Sequence, residues 1–311
     1  MEMVYHYTTM DSLLKIIEGI KVRSRNKYFV FRATNIFFLN DPQEFIYGQQ
    51  VLMETLREIE YDKPVYDNLC LSTFFSRFPQ KSEDEWLVEF SNAIQNQNAS
   101  PYVISFSRNN DSLPMWLNYG EGGRGVCLAF TEYRSKVLSK SSNPKSINEA
   151  VVNIYDSLGT YDVHYGKKDV DEKDNILKKN LDYMYDYYLK KVKTISKEDL
   201  FELQKGMLWG LSIVHAPYIK SKDYEGEREV RLSKTIYGNK KKYPNKINFR
   251  CNSKGHIVPY IEIEIPVKQL SFVRIGPLAN KDLAIKAIEM MKKKYNLEFN
   301  IKCSDIKYRD Y

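Results

Sequence analysis

Strand-like text opens and closes this chain of 311 residues, and helical text fills the middle. That order favours one mixed α+β domain with a helical insertion over two domains in series, because strands at both ends must meet across a shared core. The expected domain is 1–311, with the insertion at 146–215. Residues 3–8 alternate as a strand does, and Thr9 or Asp11 then caps a helix carrying Leu13, Leu14, Ile16 and Ile17 on one face. Gly19 is expected to end it in the left-handed conformation. Residues 36–39 read as a buried strand stopped by the turn at 40–42, and 44–59 and 82–96 read as helices. Residues 102–107 and 125–130 are expected as central strands around a short helical turn at 114–119. Later strands are expected at 229–232, 261–265, 271–275 and 299–301, with a helix at 281–295.

Composition excludes several classes. With 43% hydrophobic and 14% aromatic residues but only 14 Gly and 11 Pro, the chain is neither disordered nor low in complexity. No apolar run approaches the roughly 18 residues that cross a bilayer, and the first residues lack the pattern of a signal peptide, so a soluble cytoplasmic protein without a membrane partner is expected. Cys70, Cys127, Cys251 and Cys303 lie far apart without zinc-ligand spacing, and reduced thiols are expected. The net charge of +7 favours approach to a phosphate-bearing ligand.

Four short constellations could carry chemistry. Glu225, Glu227 and Glu229 have period two, so on an extended strand they share one face, where mutual repulsion shifts a carboxyl toward acid/base use. A charged edge strand that resists aggregation explains the same run. Arg231 shares that face and can pair with Glu229 or grip a phosphate. His6, between Tyr5 and Tyr7, can donate to a ribose hydroxyl or a carbonyl, or be a satisfied core histidine. Thr8 can share its ligand or cap the helix. Asn40 and Asp41 can present polar groups from their turn, or only shape it. Trp116 and Tyr119, three apart, offer an aromatic face for a base or nicotinamide, or for core packing. The tyrosines and lysines of 178–191 fit a single-strand nucleic-acid surface or a solvated helix, and the lysine runs at 240–242 and 292–294 share that ambiguity. P-loop, Rossmann, zincin and hydrolase-elbow motifs are absent.

In order, these motifs resemble a bacterial domain family of unknown function. Its members carry a Y-H-Y-T strand, N-D-P-x-E-F, S-F-S, M-W-x-x-Y, G-V-x-x-x-F, a Lys before E-x-E-x-R, I-G-P and a closing S-x-x-x-Y-R. Here these are His6 with its neighbours, Asn40 to Phe45, Ser105 to Ser107, Met115 to Tyr119, Gly125 to Phe130, Lys220 or Lys222 before Glu227 to Arg231, Ile275 to Pro277, and Ser304 to Arg309.

The opening strand and helix also resemble, more loosely, those of ADP-ribosyltransferases, including DarT-like toxins that modify nucleic acid. That likeness implies an ADP-ribosyltransferase-like mixed sheet in which a strand-borne histidine and a hydroxyl residue hold NAD and a late glutamate drives transfer. Mapped here, His6 and Thr8 would hold NAD, with Tyr7, Asn40, Asp41, Ser107, Trp116, Tyr119 and Arg231 as further contacts. Glu229 would be catalytic, with Glu227 as the other candidate. Arg32 is the position proposed for the arginine that grips NAD, and no Ser-Thr-Ser strand is present. Cleaving the nicotinamide bond builds an oxocarbenium-like cation that a fixed carboxylate stabilises, and no metal is required. The expected function is therefore NAD-dependent ADP-ribosyl transfer to RNA or DNA, of a toxin or phage-defence type that an antitoxin protein could neutralise. A nucleotide-binding module without catalysis and a metal-independent nuclease are the alternatives.

Overall fold

The computed structural model describes residues 2–41, 43–63, 69–96, 100–132, 160–171, 176–236, 246–252 and 255–309. The chain begins with β1 (Met3–Thr8), α1 (Met10–Glu18), β2 (Lys21–Arg23) and β3 (Asn26–Asn35). The Thr9 side chain accepts from the Ser12 N–H and caps α1, whose Leu13, Ile16 and Ile17 are buried at helical spacing. Gly19 ends this helix at φ −80, not in the left-handed region, by donating its N–H to Ile17 and Lys15 carbonyls. The expected strand at 36–39 is instead a 3-10 turn at Ile36–Phe38, because the Asn35 side chain accepts from the Phe37 N–H and curls the chain.

Next come α2 (Glu44–Tyr61), α3 (Glu83–Asn96), β4 (Ser100–Ser107), α4 (Leu113–Tyr119) and β5 (Val126–Thr131). The stretch read as helical from 146 lies outside the described residues up to 159. It then forms two short strands, β6 (Thr160–Asp162) and β7 (His164–Tyr165), before α5 (Gly166–Asp171), α6 (Ile176–Val192) and α7 (Lys197–His215). The remainder is β8 (Ile219–Lys220), β9 (Glu229–Ile236), β10 (Asn248–Cys251), β11 (Ile257–Pro266), β12 (Leu270–Ile275), α8 (Lys281–Tyr295) and β13 (Asn300–Cys303).

The architecture is mixed α+β, built on a large and mainly antiparallel sheet. Its order is β10-β11-β3-β4-β1-β5-β12-β13, and only β12 and β13 run parallel along that path. One edge of β4 meets β3 at Val103 and then β1 at Ser107, so the sheet forks there. Along its other edge β4 pairs with β9 from Ser100↔Ile236 to Ser107↔Glu229. The first and last parts of the sequence thus meet around β4.

Side chains alternate across these strands, and the two faces have different fillings. One face buries Phe29, Phe31, Phe106, Phe130, Val230 and Leu232 with Leu13 and Ile17 of α1 and Ile288 of α8. On the other, Val103 joins the helical layer of α2, α3, α6 and α7, while Met115 and Trp116 of α4 cover Tyr7 and Cys127. Gly125 and Gly276 let two backbones touch there. The Gly276 N–H donates to the Gly125 carbonyl at 2.9 Å, and a Cβ on Gly276 would meet the Gly123 carbonyl oxygen at 2.3 Å. Among the described residues, no helix is long and apolar enough to cross a membrane.

His215, the last residue of α7, is 1% exposed, and burial, assisted by His164, pushes its imidazole down to about 3. The folded protein refuses a proton that the unfolded chain binds below the ordinary value of 6.5. Its contribution to stability is therefore complete above pH 6.5 and declines as the pH falls toward 3. Unfolding at successive pH values from 6.5 to 5 should show a slope of up to about 1.4 kcal/mol per pH unit from this one site. His215→Gln should flatten it, and an unchanged slope would assign it to another group.

Candidate active site

A buried ionic cluster forms where β9, β8 and the start of α2 converge. Arg231 and Glu229 lie two apart on β9 and so share a face, which lets the guanidinium fork the neighbouring carboxylate. Nε donates to Glu229 Oε1 at 2.7 Å and Nη2 to Oε2 at 2.9 Å. Nη1 donates to Glu44 Oε1 at 2.6 Å and to the Pro217 carbonyl. Lys220 completes the group, with Nζ 3.2 Å from Glu229 Oε2, 2.6 Å from Glu227 Oε2 and 3.7 Å from Glu44 Oε2. Two cations face three carboxylates, formally one negative charge in excess.

Local structure explains the convergence. The expected strand face shared by Glu225, Glu227 and Glu229 does not exist, because Lys222–Glu227 is a 3-10 turn and Arg228 takes a left-handed conformation at φ 44. Arg228 thereby sets Glu227 off the strand, yet both glutamates reach Lys220. The edge-strand alternative also fails for Glu229, which is buried on a strand flanked by β4 and β6. Ser107 holds the turn from below: its hydroxyl donates to the Glu227 carbonyl at 2.6 Å and accepts from the Asn109 N–H. Tyr165 fixes the other side, its hydroxyl oxygen accepting from the Glu229 N–H at 2.6 Å.

The electrostatics follow from burial and pairing. Burial alone would raise the Glu229 carboxyl, but Arg231 and then Lys220 outweigh it and hold it at about 2. Burial would likewise lower Lys220 and Arg231, yet Glu229 foremost keeps both above their ordinary values. Tyr119 donates its hydroxyl to Glu227 Oε1 at 2.6 Å, and burial together with that carboxylate raises the phenol so that it stays a donor. Glu227 is the carboxylate nearest solvent, its side chain 15% exposed against 5% for Glu229 and 3% for Glu44. Beside it the Tyr224 ring lies 4.5 Å from Lys220 Nζ and is 37% exposed.

Among the residues expected from sequence, Glu227, Glu229, Arg231, Tyr119 and Ser107 come together. The others do not join them. His6 points to the opposite face, its ring against Phe31 and Phe106 and its Nδ1 donating to the Ser105 carbonyl at 2.9 Å. Glu229 instead shares a face with the Ser105 side chain, which helps to hold its carboxyl down. The His6 ring is partly buried, and burial lowers its imidazole. Thr8 lies on the His6 side of β1, opposite Val126 of β5. Tyr7 donates to the Asn109 carbonyl at 2.9 Å and packs edge-on against Trp116 at 4.9 Å. Trp116 is fully buried, its Nε1 donating to Asp111 at 2.6 Å, so it offers no face to a base. Asp111 also accepts from Ser304 Oγ at 2.8 Å, which ties the closing motif to α4.

Asn40 is exposed, and Asp41 shapes the turn by accepting from the Gln43 N–H at 2.9 Å. What that turn presents is Glu44. Glu44, Lys220 and Tyr165 are not among the site residues expected from sequence, although Glu44 stands inside the N-D-P-x-E-F motif and Lys220 is one of the two lysines before the acidic run. Arg32 lies over the Tyr260 ring at 5.1 Å and belongs to none of the cluster's ion pairs.

The fold and cluster define a mixed α+β protein with an ion-paired site on one sheet face. Residues 115–232 match the model of a family described as a protein of unknown function, DUF2971, and this part of the chain is similar to that family. The matched span runs from α4 to β9 and carries every cluster residue except Glu44 and Ser107. No curated protein and no solved structure matches the chain.

Proposed function

We propose that this protein is an NAD-dependent ADP-ribosyltransferase acting on nucleic acid, with Glu227 as the carboxylate that meets the nicotinamide ribose. The observation that carries the reading is the position of Glu227. It is the open member of a cluster with excess negative charge, and Lys220 and Tyr119 fix one oxygen each. A fixed carboxylate suits a reaction in which the bond from ribose C1′ to nicotinamide nitrogen breaks. Neutral nicotinamide leaves with the electron pair, and positive charge develops on the ribosyl ring facing Glu227. A base nitrogen or hydroxyl of the acceptor then attacks C1′, and Glu227 takes its proton before passing it to solvent.

The residues around Glu227 fit the dinucleotide. The exposed part of Tyr224 offers a ring to the pyridinium, and exposed Arg228, next in sequence, offers a guanidinium to the pyrophosphate. Glu229 and Arg231 act through Glu227 and Lys220, as positioning residues. The forked antiparallel sheet corresponds in this reading to the ADP-ribosyltransferase-like core. Incubating the protein with adenylate-labelled NAD and single-stranded RNA or DNA should transfer label to one of them and release nicotinamide. Absence of both would overturn the reading. One observation favours a second reading, a nucleotide-binding module without catalysis: the charges of the cluster are already satisfied by one another. Saturable NAD binding with no nicotinamide release would support it.

A further inference from the structure

The far end of the sheet, at β10 and β11, carries a second polar constellation that the cluster does not use. We infer that Arg32 and Arg250 form a phosphate clamp, and Phe249 a base platform, for single-stranded nucleic acid lying across β10. The inference deepens the proposed function, since it places the acceptor that function requires.

Among the described residues the two guanidiniums have no carboxylate of their own. Arg250 donates from Nη2 to Thr34 Oγ1 at 3.0 Å, its Nε is buried without a hydrogen-bond partner, and neither arginine forms an ion pair among the described residues. The carboxylates nearest along β11 are occupied. Glu262, paired in register with Arg32, binds Lys21 at 2.7 Å, and Glu264 binds Arg23 at 2.7 Å. Burial and then the charge of Arg32 pull the Arg250 guanidinium down. The sequence offers no local remedy, because residues 233–261 contain seven Lys or Arg and no Asp or Glu. An oxyanion that accepts from both forks would relieve the repulsion and satisfy the free donor.

The occupant follows from the other side of β10. Phe249 is 59% exposed and Ile257 65% exposed, and with Tyr102 and Pro259 they line a cleft of about 260 Å³. Because β10 is the outermost strand at this end among the described residues, a chain crossing it reaches Arg250 on one face and Phe249 on the other. Phosphates joined to flat, stackable rings match that pairing, as they do in single-strand binding proteins.

Binding of fluorescein-labelled mixed-sequence single-stranded RNA and DNA to the full chain, measured by anisotropy without NAD at several salt concentrations, tests the inference. R32A/R250A should reduce the slope of log affinity against log salt by about 0.7, the value for one phosphate contact on a single strand. R32K/R250K should keep the slope, which separates loss of charge from damage to the fold. F249A, at an exposed position, should weaken binding about tenfold at every salt concentration without changing the slope. An unchanged slope in R32A/R250A, or wild-type affinity in F249A, would overturn the inference even where label transfer is observed. Conversely, the predicted binding changes without any transfer from NAD would uphold it and count against the proposed function alone.

Discussion

Arg231→Met should destabilise the folded protein by about 3–5 kcal/mol, the cost of breaking a buried ion pair by removing one partner. Arg231 supplies three of the short contacts that hold Glu44 and Glu229, and both carboxylates are almost fully buried. Without it, Lys220 alone faces three carboxylates, and its reach to Glu44 is 3.7 Å. Denaturant unfolding at pH 7 measures the loss. A difference below about 1 kcal/mol, the range of exposed ion pairs, would show that water already screens the cluster. The double variant Arg231→Met with Glu229→Met should recover part of the deficit, because no buried charge then remains on β9.

The same cluster sets a pH window. The folded-state carboxyl of Glu229 lies below its ordinary 4.5, at about 2, so its pairing contributes fully above 4.5 and is lost as the pH falls through 2. In Arg231→Met the acid-induced loss should begin at higher pH, because the cation that outweighs burial has been removed.

Much of this was legible in the sequence, for reasons that differ by element. α1, α2, α3 and α8 follow apolar spacing, with side-chain caps at α1, α3 and α8, and β4, β5 and β12 follow β-branched and aromatic runs, all of them local signals. Residues 36–39 misled because a strand and a 3-10 turn bury equally apolar side chains, and only the Asn35 hydrogen bond to Phe37 decides between them. At the candidate site, Glu227, Glu229 and Arg231 were visible as a charged run, but the physical reason given for them was not the one realised. Their convergence depends on Arg228 in the left-handed region and on Lys220, seven residues before Glu227. Glu44 was hidden because its ion pair spans 187 residues, a distance on which periodicity is silent. His6 fails as a site residue for a complementary reason. Alternation gives the face of a strand only relative to its neighbours, and which face the sheet turns toward Glu229 is settled by how β1 and β9 flank β4.

Glu227→Gln should reduce ADP-ribosyl transfer by about 10²–10⁴-fold, within the ranges found when a general base or a charge-stabilising group is removed. It should do so with little loss of stability, because Lys220 keeps Glu229 at 3.2 Å and the amide retains the shape that Tyr119 meets. Glu229→Gln should differ in kind. It removes charge from the center of the cluster, so activity and unfolding midpoint should fall together, as expected for a positioning residue buried between Arg231 and Lys220. Steady-state kinetics with NAD and the acceptor, beside thermal unfolding of the same samples, separates the two. A Glu227→Gln protein with wild-type kcat would remove that carboxylate from the reaction. Equal losses of stability in both variants would make Glu227 one more strut of the ionic cluster. The expected asymmetry follows from depth: the carboxylate that must meet a ribose is the one water can reach, and the one that holds it in place is the one water cannot.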